Sequence, residues 1–271
     1  MVRFGMGSAI IIYFYNLPLS NLWFVFPLYL WSLSWYPIIV WYTYFFKGGP
    51  LTIGTIYIGT SGFSYREGLG SFYPRGLKGL EMLSYYAANF NTVELNNTFY
   101  QLPFPDTLNA WKDSTGAGFR FAVKAGQRIT HRKDFGIPDG YFELFLSRIA
   151  MLHERLGPVL FQFPPAQGNP QQITGFIHQL RTVAPANLPL IPVIELRNRK
   201  LFNEGFFQTL RGCHVNLCFN DGYLEARDWP QPWDAVYLRL RNGPYTMDYL
   251  KKTALLLRQW ESQGRGLLCL F

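Results

Sequence analysis

The amino-acid sequence predicts an α/β fold in which parallel strands alternate with helices. Three observations support this prediction. Eight short apolar runs occur between residues 56 and 271, helical patterns or long crossovers separate them, and turn-forming Gly, Pro, Asn or Asp residues follow many of them. Because eight parallel strands close a TIM, or (β/α)8, barrel, we expect that architecture. An open doubly wound sheet is the alternative, since the helical pattern between Pro103 and Gly118 is weak.

The predicted strands are short, and most end in a turn or a polar residue. They span residues 56–60, 92–95, 119–123, 159–163, 190–196, 215–219, 235–240 and 266–271. Predicted helices span residues 77–90, 141–156, 170–183, 202–211 and 249–263, where apolar side chains recur every three or four positions. Leu80, Leu83 and Ala87 share one face of the first helix. Gly157-Pro158 closes the second helix, and Pro164-Pro165 stops the fourth strand.

Residues 1–52 differ in composition from the rest of the chain. No charged residue lies between positions 4 and 46, and residues 22–46 form a stretch of 25, long enough to cross a bilayer. The apolar stretch is too long for a signal peptide, and no A-x-A site follows it. Three interpretations stay open: a membrane anchor, a non-native upstream extension from a misplaced start, or part of a core. Lys47-Gly48-Gly49-Pro50 breaks any helix and separates this extension from a domain at residues 53–271.

The overall composition predicts a sizeable core. The chain of 271 residues is 49% hydrophobic and 18% aromatic, and its formal net charge is +8. This charge favours an anionic ligand or nucleic acid, although many ordinary proteins carry as much.

Cys213, Cys218 and Cys269 are odd in number and form no CxxC motif, so we expect free thiols in a reducing compartment. We therefore expect a cytoplasmic barrel, tethered to a membrane if the N-terminal extension is genuine.

Polar residues at the ends of the predicted strands form the candidate site. The C-terminal ends of the strands of a parallel barrel meet at one rim, where active sites lie. The rim residues are Thr60, Glu94, Asn96, Lys124, Gln162, Glu195, Arg197, Asp221 and Arg239. Three carboxylates and three cations converging on one mouth are typical of a functional site. Ion pairs that hold the mouth together are the structural alternative.

Several ordered motifs resemble a known family. They are GTSGFSY at 59–65, FYP at 72–74, TVELN at 92–96, TFY at 98–100, FRFAVK at 119–124, ITH at 129–131, GP at 157–158, LFQFPP at 160–165 and ELR at 195–197. In this order they resemble the DUF72 family of YecE-like proteins. The resemblance covers about residues 56–271 and implies a TIM barrel with a strand-end site. It implies no particular reaction, because the family is largely without an established one.

The sequence departs from the family pattern at three places. Gly68 stands near the position of a family tryptophan, and Arg241-Asn242-Gly243 replaces a histidine followed by glycine. The family continues past the eighth strand through an Asn-rich motif and a last helix, whereas this sequence ends at Phe271. We therefore expect a barrel that apparently lacks its last helix, with the N-terminal extension as one candidate to cover the strand surface left open.

The candidate catalytic residues are Glu94, Lys124, His131 and Glu195. Either carboxylate could act as an acid or base, and His131 lies in a loop after a strand, a plausible acid–base position. If Lys124 is desolvated, its pKa could fall far enough for Schiff-base or proton-transfer chemistry, although anchoring an anion is the simpler use. The candidate substrate-binding residues are Thr60, Tyr65, Asn96, Tyr100, Gln162, Arg197, Asp221 and Arg239.

The favoured function is an enzyme of hydrolase, lyase or isomerase type that acts on a small anionic or polyhydroxy substrate. Three carboxylates with His131 would suit a divalent metal, but the neighbouring cations favour a metal-independent reaction. No P-loop, GxGxxG, GxSxG or HExxH pattern occurs, so the cofactor is unknown, and the oligomeric state is not predicted. The alternative is a protein that binds or processes nucleic acid. In that case the bases of the nucleic acid would stack on Tyr65, Phe72, Tyr73, Phe99 and Tyr100.

Overall fold

The computed structural model of the protein describes most of the chain beyond residue 55. The described residues are 56–165, 169–185, 187–197, 201, 203–221, 235–241, 243–264 and 266–270. The predicted N-terminal extension, with its candidate membrane anchor at 22–46, lies outside them. Among the described residues, none of the helices combines the length and the apolar composition needed to cross a membrane.

Eight parallel strands form a closed barrel in chain order. They are β1 (Ile56–Ser61), β2 (Thr92–Leu95), β3 (Arg120–Lys124), β4 (Leu156–Phe163), β5 (Pro192–Leu196), β6 (Asn216–Asn220), β7 (Ala235–Arg239) and β8 (Gly266–Leu270). Each strand pairs with the next, and β8 pairs with β1. The prediction of a TIM-type barrel is therefore confirmed, and the open sheet is excluded.

Seven α-helices surround the barrel in the described part of the chain. They are α1 (Gly79–Asn89), α2 (Pro105–Asp113), α3 (Gln127–Thr130), α4 (Tyr141–Ile149), α5 (Pro170–Val183), α6 (Glu204–Gly212) and α7 (Met247–Ser262). The weak pattern after Pro103 is helix α2, which has Pro105 at its first position and buries Leu108 and Trp111. Its apolar face is narrow, which explains the weak signal in the sequence.

The predicted helix over residues 141–156 is wrong in its second half. Helix α4 ends at Ile149, a 3-10 turn covers Ala150–Arg155, and β4 already begins at Leu156. His153 has a positive φ of 47°, which an α-helix does not tolerate. Gly157 lies within the strand, where an added Cβ would come 3.1 Å from the carbonyl oxygen of Phe121. The glycine therefore allows β3 and β4 to approach closely and does not mark a helix end.

The interior of the barrel is packed by a small apolar cluster. Its members are Tyr57, Ala122, Leu160, Val193, Cys218, Tyr237, Leu268 and Leu270. Five of them lie two positions before a polar residue, namely before Lys124, Gln162, Glu195, Asn220 and Arg239. Because side chains two apart on a strand face the same side, the polar residues form the next layer toward the C-terminal mouth. The apolar layer therefore closes the floor of the site.

Candidate functional site

The polar strand ends enclose a cavity of about 440 Å³ at the C-terminal mouth of the barrel. Its lining residues are Ser61, Tyr65, Asn96, Tyr100, Lys124, Gln162, Arg197, Asn220, Arg239 and Arg241. Seven of these were predicted as site residues: Tyr65, Asn96, Tyr100, Lys124, Gln162, Arg197 and Arg239. The strands of one barrel therefore bring most of the predicted binding residues to one cavity.

Charged and neutral side chains alternate around this mouth. The cations Lys124, Arg197 and Arg239 lie at the ends of β3, β5 and β7, three odd-numbered strands. The amides Asn96, Gln162 and Asn220 lie at the ends of β2, β4 and β6. Because the eight strands close in chain order, β3 lies opposite β7. Lys124 therefore lies across the mouth from Arg239.

A buried ion-pair triad forms the centre of the site. The guanidinium of Arg239 donates to Glu94 Oε1 at 2.8 Å and to Glu195 Oε2 at 2.5 Å. The three side chains are 3%, 0% and 1% exposed respectively. Burial opposes ionisation of Glu94, but Arg239 and the hydrogen bonds outweigh it and hold the pKa of Glu94 below its usual range. Both carboxylates therefore serve to hold Arg239 at the floor of the cavity.

Glu94 is further surrounded by hydrogen-bond donors. The Tyr237 hydroxyl donates to Oε2 at 2.7 Å, and the Ser61 hydroxyl donates to Oε1 at 2.8 Å. Arg241 Nη1 in turn donates to Ser61 Oγ at 2.9 Å. Burial, followed by the negative charge of Glu94, raises the pKa of Tyr237 well above its usual value, so this phenol stays protonated as a donor. Glu94 is thus an ionised and fully hydrogen-bonded carboxylate.

Lys124 lies in a different environment from the guanidiniums. Its side chain is half-buried, and its Nζ lies 4.3 Å from the centre of the Phe99 ring. Its ammonium makes no hydrogen bond or ion pair with another described residue. Burial and the charge of Arg239 lower the pKa of Lys124 to about 8, partly offset by Glu94 and Glu195. Lys124 therefore exchanges protons close to neutral pH.

Thr98 fixes the backbone around Lys124. It is 1% exposed, and its hydroxyl lies 2.6 Å from the carbonyl oxygen of Leu95 and 2.6 Å from that of Lys124. The hydroxyl ties the 3-10 turn Asn97–Phe99 to the end of β3. This turn presents the Phe99 ring to the lysine. Thr98 belongs to the TFY motif at residues 98–100, but the motif alone predicts no role for its hydroxyl.

His131 lies behind Phe99 and not in the cavity lining. The two rings are 5.2 Å apart in an edge-to-face arrangement, and Nδ1 of His131 lies 3.0 Å from Thr130 Oγ1. The imidazole is exposed, and partial desolvation, followed by the charges of Lys124 and Arg197, lowers its pKa. His131 is therefore uncharged at pH 7, and it lies next to Phe99, the ring that contacts Lys124.

The predicted binding residue Thr60 lies outside the cavity lining. Its hydroxyl donates to the carbonyl of Gly62 at 2.6 Å and lies 3.0 Å from the Tyr86 hydroxyl on α1. Side chains alternate along a strand, so Thr60 faces the surrounding helices and Ser61 faces the cavity. Ser61 was missed because the predicted strand ended one residue early.

Asp221 also lies outside the lining and supports the loop after β7. Its Oδ1 accepts from the backbone N–H of Arg241 at 2.8 Å, and its Oδ2 accepts from the Tyr245 hydroxyl at 2.6 Å. Its neighbour Asn220 faces the cavity and donates to Glu195 Oε1 at 3.3 Å. The period of two from Cys218 would have identified Asn220. The same period from Tyr237 would have identified Arg241.

Two aromatic residues proposed for base stacking are buried. Phe72 and Tyr73 are 7% and 1% exposed. The Phe72 ring lies 5.5 Å from Tyr85 and 5.7 Å from Phe90, so it belongs to the core under α1. The expectation that these two residues stack on nucleic-acid bases is therefore wrong. Tyr100, by contrast, is 76% exposed at the edge of the mouth.

The groups that could hold a metal do not converge in the described residues. Within them, three or more His, Cys, Asp or Glu side chains nowhere form a cluster suited to a metal ion. Glu94 and Glu195 are separated by the Arg239 guanidinium. The cysteines Cys213, Cys218 and Cys269 are free thiols. Burial raises the pKa of Cys218 and Cys269, so these two remain protonated.

Comparison with known sequences points to one family. A family model described as "Protein of unknown function DUF72" matches residues 57–271. UPF0759 protein YecE of Escherichia coli K12 is 33% identical over 138 residues, which are 50% of this chain and 49% of YecE. UPF0759 protein YunF of Bacillus subtilis strain 168 is 31% identical over 163 residues, which are 56% of this chain and 54% of YunF. The chain thus spans about half the length of the curated relatives it matches.

Comparison with solved structures gives the same result for the fold. A DUF72 family protein from Thermotoga maritima MSB8 has a TM-score of 0.65 at 26% identity, covering 80% of this chain and 92% of that one. A DUF72 family protein from Enterococcus faecalis V583 has a TM-score of 0.64 at 19% identity, covering 80% and 90%. The second likeness concerns the fold alone. Both agree with the closed barrel.

Proposed function

Because the chain belongs to the DUF72 family of proteins of unknown function, its activity has to follow from its own site, and we propose an enzyme that binds a small anionic, hydroxyl-rich substrate at the barrel mouth. Membership confirms the resemblance read from the motifs. The observation that carries the proposal is the charge of the cavity lining. Lys124, Arg197, Arg239 and Arg241 line it, whereas no lining residue is a carboxylate in the described part of the chain.

The charge balance around the mouth favours an anion. The nearby carboxylates Glu94 and Glu195 are both buried against Arg239. Taken together, these two anions and the four lining cations give 4 − 2 = +2. A phosphate or a carboxylate in the cavity would reduce this excess. Guanidinium groups also match the geometry of both anions with paired donors.

The neutral side chains between the cations suit hydroxyl groups. Asn96 and Gln162 each carry an acceptor oxygen and two N–H donors, and Asn220 carries the same groups with its amide nitrogen already donating to Glu195. A sugar phosphate or a sugar acid presents hydroxyls that exchange donor and acceptor roles in the same way. A cavity of about 440 Å³ has room for a ligand of this size.

In this proposal Lys124 moves the proton. A general acid or base acts best when its pKa lies close to the working pH, and the pKa of Lys124 is lowered to about 8. Glu94 is ionised and fully hydrogen-bonded, so we give it and Glu195 the role of holding Arg239 in place. A reaction of lyase or isomerase type, in which a proton leaves or enters a carbon next to a carbonyl, fits these roles.

The proposal is tested with a thermal-shift screen of the full-length protein against glucose 6-phosphate, gluconate, glucose and a short oligothymidylate. A ligand that binds the native state raises the melting temperature by mass action. We expect at least one of the two anionic sugars to raise it and glucose to leave it unchanged. Arg241→Met should weaken the shift, whereas Arg211→Met, at the far end of α6, should not. Equal responses of all three proteins, or no response to either anion, would contradict the proposal.

Nucleic-acid binding remains the second candidate because of two exposed aromatic residues. Tyr100 and Phe104 are 76% and 66% exposed, on the loop between β2 and α2. Exposed rings beside a cationic mouth can stack on single-stranded bases. A steep fall of oligothymidylate affinity with salt concentration would favour this candidate, since each neutralised phosphate releases a counterion. A shallow dependence would favour the small anion.

A further inference from the structure

Lys124 is the lining cation whose ammonium has no hydrogen-bonding or ion-pairing partner among the described residues. Arg239 is held by Glu94 and Glu195, and Arg241 is held through Ser61. We propose that Lys124 is a nucleophile that forms an imine with an aldehyde or ketone whose other end is anionic. This inference rests on the anion-binding mouth proposed above, and it assigns the Lys124 amine to covalent bond formation with a carbonyl group in place of the proton transfer given to it there.

The position of Lys124 supports a role beyond binding charge. Arg239 and Arg241 lie at the end of β7, across the barrel from Lys124 on β3. An anionic group held at the β7 side leaves the other end of a short ligand facing the lysine. Arg197, Arg239 and Arg241 line the same cavity, so an anion has other cations to bind than Lys124. The positions of the cations around the mouth would therefore orient a ligand that has an anionic group at one end and a carbonyl group at the other.

The lowered pKa of Lys124 supports nucleophilic attack by its amine. The groups facing its ammonium are Glu94 on β2, Glu195 and Arg197 at β5, Arg239 on β7 and His131 after α3. Burial and the charge of Arg239 outweigh the two carboxylates and lower the pKa of Lys124 to about 8. Roughly a tenth of the lysine is then uncharged at pH 7, against roughly one in 2,500 for an ordinary lysine. The nucleophilic amine is present without a separate base.

The step balances with the groups present. The lone pair of Nζ attacks the carbonyl carbon, the C–O π electrons move to oxygen, and a proton passes from nitrogen to that oxygen. The resulting carbinolamine takes up one proton and loses its hydroxyl as water, which leaves a C=N–H⁺ iminium. No oxidant or reductant is needed. Hydrolysis by the same path in reverse regenerates the amine.

Phe99 is placed to stabilise the iminium. Its ring centre lies 4.3 Å from Nζ, within the range of a cation–π interaction. The iminium carries a positive charge at the same nitrogen as the ammonium. The ring face therefore favours both charged forms, while Thr98 fixes the turn that carries the ring.

The test is reductive trapping of the full-length protein with glyceraldehyde 3-phosphate and cyanoborohydride, which delivers hydride to an iminium carbon. Peptide mapping by mass spectrometry locates the resulting secondary amine. We expect the adduct at Lys124, formed about tenfold or more faster than with glyceraldehyde, because the guanidiniums concentrate the phosphate ester. The exposed Lys251 on α7 should react slowly and equally with both aldehydes.

Two variants and a pH series complete the test. Lys124→Arg keeps a cation but cannot form an imine, so rapid trapping should disappear, whereas Lys251→Arg should leave it unchanged. In the wild type the rate at Lys124 should level off above about pH 8, while the rate at Lys251 should continue to rise. Inorganic phosphate should slow labelling of Lys124 by competition. Preferential labelling of exposed lysines, or equal rates with the two aldehydes, would overturn the inference.

The outcomes separate this inference from the proposed function. If anionic sugars stabilise the protein but Lys124 is not labelled, the imine is excluded and the anion-binding mouth stands. If no anion stabilises the protein and the phosphate ester has no advantage, both proposals fail together.

Discussion

Arg239 is the residue on which the geometry of the site depends. It reaches Glu94, which is 145 positions earlier in the chain, and Glu195, which is 44 positions earlier. The sequence placed all three at strand ends. Sequence patterns give the rim on which a residue lies. They do not give the reach of a side chain across a closed barrel.

Replacing Arg239 with methionine should strongly destabilise the protein. The variant keeps apolar volume at the floor of the cavity but leaves two buried carboxylates without their cation. Removing one partner of a buried ion pair costs about 3–5 kcal/mol of unfolding free energy, because the remaining charge is not compensated. Chemical denaturation of the full-length protein measures the change.

Arg197→Met is the matched control for that measurement. Arg197 is 39% exposed and lies 3.8 Å from Glu195 through its Nε, a long and partly hydrated ion pair. Its loss should cost less than about 1 kcal/mol. If Arg239→Met were no more damaging than Arg197→Met, the buried triad would not be the structural centre of the site.

The side of each strand on which a residue lies explains which site residues the sequence predicted. Lys124 and Gln162 were predicted and do line the cavity, because they were chosen at the correct phase of the alternation. Thr60 was chosen one position away from Ser61, and Asp221 one position away from Asn220. A shift of one residue on a strand moves a side chain to the other face. The apolar interior residues two positions earlier on these strands would have shown which side chains face the cavity.

At the scale of elements, the turn Asn97–Phe99 links two strands at the reactive end of the site. Its Thr98 hydroxyl lies within hydrogen-bonding distance of two carbonyl groups, one at the end of β2 and one at the end of β3. The turn also carries Phe99, whose ring faces Lys124. A single buried hydroxyl thus couples strand spacing to the position of the lysine.

Thr98→Val should therefore lower the free energy of unfolding of the barrel and shift the position of the Lys124 side chain. Valine has nearly the same shape but cannot donate, so it leaves a buried carbonyl without its donor at a cost of about 1–3 kcal/mol. Urea denaturation measures this cost. Thr182→Val is the control, since Thr182 is exposed on α5 and donates to the carbonyl of His178. A surface change of this kind stays within about 0.5 kcal/mol, and an equal effect of both variants would contradict the role of Thr98.

Element boundaries show where sequence patterns stop being informative. The strand β2 and helix α5 were predicted at their observed bounds, because clear turn residues flank both. The segment after Ile149 kept a helical spacing of apolar residues, yet it forms a 3-10 turn and then enters β4. The close approach of Gly157 to β3 decides this end, and such a contact is a property of the assembled barrel.

At the scale of the whole molecule, the count of strands was enough to predict closure. Eight parallel strands in chain order, each followed by a crossover, leave few alternatives to a barrel, and the pairing of β8 with β1 confirms it. What the count could not give is the alternation of cations and amides around the mouth. That alternation follows from strand order and side-chain phase together.

The net positive charge of the molecule and the cations that line its mouth both attract anions. The chain carries a formal net charge of +8, and four cations line the cavity. The field of such a cleft raises the local concentration of small anions and repels cations. Burial and the charge of Arg239 favour the uncharged form of Lys124, so a cation that attracts an anion to the mouth also contributes to the reactivity of the lysine.

The most direct test of this account is the titration of Lys124 by NMR, using full-length protein with ¹³C-labelled lysine and Lys124→Arg to assign the Cε signal. We predict a midpoint at about pH 8, and a higher midpoint when inorganic phosphate is added, because a bound anion favours the ammonium. A midpoint near that of an ordinary lysine, about 10.4, or one that phosphate leaves unchanged would contradict the account.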